Sequence, residues 1–117
     1  MMDHGGIPAW RRGIDLAHSV CAAVAEGPLS SSDAGRRLRR AAVSVPSLVG
    51  EAFLDLTAKP AADALAQASE KLQEVSSLLT LDPVRRSLPE GDREALLLQI
   101  EALRAELADL RGGSSGH

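Results

Sequence analysis

Residues 36–53, "RRLRRAAVSVPSLVGEAF", decide the fold of this chain. Four arginines in five positions precede an apolar run with a proline in its middle. Leu38, Ala42, Val45, Val49, Ala52 and Leu56 recur at intervals of 4-3-4-3-4, the spacing of one face of an α-helix. If the helix ended at Pro46, the stripe would have no reason to resume in phase, and it does resume. The spacing therefore predicts one helix that opens on the N-cap oxygens of Ser31-Ser32-Asp33 and bends at Pro46, where the bond to the Ala42 carbonyl is lost. Two helices joined by a turn at Ser44–Ser47 are the alternative. Gly50 adds local flexibility to either.

Three further stripes share the period. Before the first, Gly5-Gly6 and Pro8 suit a helix start. Trp10, Ile14, Ala17, Cys21 and Val24 then follow until Gly27-Pro28. After a break at Lys59-Pro60 come Leu65, Ala68, Leu72, Val75 and Leu79, closed by Asp82-Pro83. A connector, "VRRSLPEGD", leads to Leu96, Ile100, Leu103, Leu107 and Leu110, stopped by Gly112-Gly113. The expected fold is all-α: an up-and-down antiparallel four-helix bundle over residues 7–111, its second helix kinked at Pro46. Residues 1–6 form a flexible N-terminus and "GGSSGH", 112–117, a flexible tail or an appended remnant.

The composition agrees. With one Phe, one Trp and no Tyr, the core is built from Leu, Val, Ile and Ala, which suits close-packed helices. The single cysteine, Cys21, rules out an internal disulfide, and no run of residues matches a membrane span or a signal peptide. The expectation is a soluble, cytoplasmic protein. Net charge is −3, unlike a generally basic nucleic-acid protein. Residues 1–58 hold six Arg against six Asp/Glu, and the remainder carries the deficit. Eleven of the thirteen cations are Arg, which favours bidentate pairing with carboxylate or phosphate.

Each stripe has apolar residues beside it: Leu16 and Val20, Ala41, Leu48 and Phe53, Leu78, and Leu97 with Leu98. These suggest a second, sticky face, and Val20, Leu48, Phe53 and Leu97 are the expected oligomer interface. A wide core face with scattered exposed apolar residues is the alternative.

The stretch Arg39-Arg40-Ala41-Ala42-Val43-Ser44-Val45-Pro46-Ser47 resembles the signature R-R-A-a-x-S-I-P-x-N-I-A-E-G of a bacterial four-helix bundle family. That family was first met as reading frames in intervening sequences of 23S ribosomal RNA genes. Trp10 ahead of Asp15-Leu16 resembles the family's early Trp and Asp-Leu pair. Ala66, Ser69, Leu72 to Glu74 and Leu78-Leu79 loosely resemble its later small-residue helix. The resemblance covers roughly residues 7 to 110. It implies a homopentamer, and a related branch, the accessory variability protein of diversity-generating retroelements, binds a reverse transcriptase and its RNA through basic surfaces. Leu48 stands where the family has Asn, and Ala52 where it has Gly, so the polar contact of that Asn is absent. The acidic net charge also departs from the basic retroelement branch.

Arg36, Arg37, Arg39 and Arg40 are the leading candidates for binding a partner or a nucleic acid, with Arg11 and Arg12 as an extension. Leu38 points inward, leaving Arg37 and Arg40 on one flank and Arg36 and Arg39 on another. These arginines either pair with carboxylates, within the chain or across subunits, or bind phosphates. Asp15, His18 and Cys21 stand at threefold spacing, but Cys21 falls on the core stripe, where a thiol acts as a small hydrophobe. Glu70, Glu74, Glu101 and Glu106 lack the Glu-x-x-His arrangement of di-iron bundles. No catalytic set, metal or cofactor motif is legible. The expected function is a non-catalytic oligomeric scaffold or adaptor for a protein partner. The alternative is an RNA-binding accessory to a reverse transcriptase.

Overall fold

The computed structural model describes residues 6–25, 27–53 and 59–116, with side chains for 7–25, 27–53 and 60–112. Four main helices pack antiparallel: α1 (Gly6–Val24), α2 (Asp33–Ala52), α3 (Lys59–Leu79) and α5 (Glu90–Gly116). A short α4 (Asp82–Ser87) and a 3₁₀ turn (Gly27–Ser31) complete them, with no strand among the described residues. Around the rod, α2 touches α1 and α3, and α5 touches the same two, so α2 and α5 are diagonal.

α2 runs unbroken through Pro46. A proline inside a helix costs about 3 kcal/mol. Burial of Val45, Val49, Ala52 and Phe53 on either side returns about 1.5–3 kcal/mol per large side chain, so the helix survives. α1 packs against the proline: a Cβ on Gly13 would lie 3.4 Å from Pro46 Cα, in ordinary van der Waals contact. One turn further on, the Trp10 indole covers Gly50, where a Cβ would meet Nε1 at 3.4 Å. Phe53 ends the helix, its N–H reaching the Val49 and Gly50 carbonyls at 3.3 and 3.2 Å. Leu56, the last residue of the expected stripe, lies outside the described residues.

Gly27, at φ 74°, turns the chain after α1, a left-handed conformation that suits glycine. Ser32 then caps α2, its Oγ accepting from Gly35 N–H at 2.9 Å. Ser32→Ala is expected to cost about 1 kcal/mol, read as a lower urea midpoint at unchanged slope. The connector before α5 is partly helical, because Pro83 occupies the first turn of α4, where its missing N–H has no intrahelical partner to lose. Leu29, Val84 and Leu88 are buried there and close that end of the core. α5 continues to Gly116, past the Gly112-Gly113 pair expected to stop it; glycine weakens a helix by about 1 kcal/mol without forbidding it.

The seam of α1 differs from the expected one. Ala9, Leu16, Ala17, Val20 and Val24 are buried, whereas Ile14 is 38% exposed and Cys21 half-buried. Ala41, Phe53 and Leu78, expected beside the stripes, are also in the core. Leu16, Val20, Ala41, Phe53 and Leu78 thus belong to a wide core face, whereas Leu48 and Leu97 are half-buried and Leu98 is exposed. Each helix contacts two neighbours, and an arc facing two neighbours is wider than a single heptad seam.

Candidate binding surface

The described core holds no buried polar or charged residue, so every candidate for chemistry lies at or near the surface. α2 sets the leading one. Its inward side is fixed by Leu38, Ala41, Ala42 and Val45, which turns the arginines outward. Arg36 and Arg40, four apart, fall on one strip of the helix. Together with Arg39 they line an open groove of about 750 Å³ between α2 and α3. Val43, Ser44, Ser47 and Leu48 of α2 and Gln67 and Lys71 of α3 complete the lining. Arg40 thus shares this groove with Arg36 and Arg39, and not with Arg37, with which the flank assignment expected it to group. Arg37 is exposed outside the groove.

The charges in this groove are unevenly answered. Arg36 pairs with Asp33 at 3.8 Å and donates to the Ser31 carbonyl at 3.3 Å. Lys71 pairs with Glu74 at 3.6 Å. Arg39 and Arg40 meet no carboxylate among the described residues. Arg36 and Arg40, like charges at i,i+4, repel one another. An anionic group brought into the groove relieves that repulsion.

Arg11 and Arg12 lie on α1 and do not line this groove, whose described lining comes from α2 and α3. Arg12 forms an ion pair with Glu106 of α5, and that pairing fastens α1 to α5. Arg85 and Arg86 line a separate depression with Asp82, Leu88, Glu90 and Arg93, where Arg93 bonds Glu90 at 3.0 Å.

The expected oligomer interface is corrected in part. Val20 is 1% and Phe53 2% exposed; both are spent on the protomer's own core and offer nothing to a neighbour. Leu48 and Leu97 are half-buried against that core. Among the described residues the most exposed large apolar side chain is Leu98, at 71%, with Ile7, Ile14, Val43 and Leu81 less so.

His18 is exposed and Cys21 half-buried. Among the described residues no three His, Cys, Asp or Glu side chains gather where they could hold one metal ion. No described helix is long and apolar enough to cross a membrane. Compared with protein-family models, with curated proteins and with solved structures, this chain matches none.

Proposed function

We propose that this chain is a non-catalytic binding protein, an up-and-down bundle bent at Pro46 that assembles with itself and serves as a scaffold or adaptor for protein partners. One observation carries the reading: Arg39 and Arg40 sit at an open groove with no carboxylate of the described chain to neutralise them. Desolvated, bidentate arginine–carboxylate pairs are strong and specific contacts at protein interfaces. A 117-residue chain also buries only about two-thirds of its unfolded surface, so assembly adds stability that a single copy lacks. The resemblance of residues 39–47 to the intervening-sequence family supports a pentamer.

A second reading is an RNA-binding accessory to a reverse transcriptase. It is favoured by Ser44, Ser47 and Gln67 beside the arginines, since hydroxyl and amide groups join guanidinium groups at phosphates. The groove has no aromatic lining, so such binding would rest on phosphates and would fall steeply with salt.

Light scattering on the full chain at micromolar concentration tests the first reading. The expected mass is a multiple of the 12.3 kDa protomer, fivefold for a pentamer. A 12.3 kDa species that shifts structured RNA in a salt-dependent way would replace it with the second.

A further inference from the structure

We infer that the α2 groove receives the outer face of α5 from a second copy of this chain, in a head-to-tail contact. This rests on the self-assembly proposed above and names the surfaces that make it.

The α5 face is a strip of Glu94, Leu98, Glu101, Ala105 and Asp109, at spacings 4-3-4-4, all exposed. Leu98 is the most exposed large apolar residue described and lies between the two glutamates. Neither glutamate, nor Asp109, meets a cation among the described residues. The α2 face is Arg36, Arg40, Val43 and Ser47, at spacings 4-3-4 and exposed throughout, with Arg39 at its edge. Val43 is 47% exposed beside the unpaired arginines.

The two strips are complementary in sign, carry one exposed aliphatic side chain each, and repeat with the same period. Strips of one period pack along each other as a helical seam. Within one molecule they cannot meet, because α2 and α5 are diagonal and their outer faces point to opposite sides of the rod. Two different patches on opposite sides of one chain make a heterologous interface, which closes into a ring or propagates. The same arrangement accounts for Arg39 and Arg40 being left unpaired in the protomer: their carboxylates are on the next copy.

Charge reversal, read by light scattering at micromolar concentration, tests this. Arg39→Glu with Arg40→Glu is expected to dissociate the wild-type assembly, and so is Glu94→Arg with Glu101→Arg. The chain carrying all four changes is expected to reassemble, since the opposing signs are restored. All four side chains are exposed, so helicity by circular dichroism should stay at the wild-type level. Leu98→Ser, which alters no charge, is expected to raise the subunit dissociation constant at least about tenfold.

A monomeric wild type overturns self-assembly and this seam together. An assembled wild type that neither reversal dissociates overturns the seam alone and leaves self-assembly standing. Dissociation by both reversals without recovery in the fourfold variant also overturns the seam, because the two faces then meet other surfaces. An assembly of unchanged mass with loss of RNA binding in Arg39→Glu, Arg40→Glu assigns the arginines to phosphates and overturns it too.

Discussion

Leu16→Ala is expected to destabilise the protein by about 2–5 kcal/mol, whereas Ile14→Ala two residues away should change stability by no more than about 0.5 kcal/mol. The contrast is large because the helix registers the two side chains oppositely. Leu16 is 0% exposed within the common core. Its truncation removes a methine and two methyl groups from contact and leaves a cavity that close-packed helices fill only in part. Ile14 is 38% exposed, and alanine there also gains helix propensity. Urea melts of the two variants measure the difference directly. For a domain of this size, each kcal/mol lost lowers the thermal midpoint by about 4 °C. Equal losses in both variants, or a larger loss at Ile14, would restore the Trp10–Ile14–Cys21 stripe as the seam of α1 and overturn the packing described here.

Gly35→Ala is the second large effect, and its sign runs against propensity. Alanine in a helix is normally favoured over glycine by about 1 kcal/mol. At Gly35 a Cβ would stand 1.9 Å from the Leu29 carbonyl oxygen and 2.9 Å from its carbon. Both are backbone atoms, held by Ser32, whose N–H and hydroxyl donate to that same carbonyl at 3.3 and 3.2 Å. Relief therefore requires the 3₁₀ turn to move, withdrawing buried Leu29 from the core and weakening the Ser32 cap. Forced overpacking costs about 1–3 kcal/mol and the cap about 1 kcal/mol; against the propensity gain of about 1 kcal/mol, the net expectation is a loss of about 1–3 kcal/mol. Gly91→Ala is the matched control: nothing lies within 4 Å of a Cβ there, and stability should hold or rise slightly. A Gly35→Ala variant as stable as wild type would show that the turn and α2 are not packed as described.

Both predictions concern places where the sequence pattern was silent or misleading. The continuity of α2 through Pro46 was legible because periodicity is a local property: the stripe on either side is in phase whatever surrounds it. The same holds for the four long helices, which begin or end close to the Gly, Pro and Ser signals at Gly27-Pro28, Ser32, Lys59-Pro60 and Asp82-Pro83. Of the candidate surface, the arginines were legible as residues but their company was not. Lys71 and Gln67 join them from α3, and Arg12 leaves them for Glu106; a single-helix pattern contains neither relation.

Apolar spacing and turn residues alone were enough to establish all-α character and the positions of the long helices, because hydrogen bonds and side-chain burial within a helix depend on neighbours three and four residues away. Only the tertiary structure decided which arc of each helix faces inward, that Val20 and Phe53 belong to the core, and that Gly35 marks a close approach. The physical reason is that burial is set by the number and direction of packed neighbours. Helices flanked on two sides bury a wide arc, and a stripe drawn through its edge or its centre reads equally well in one dimension.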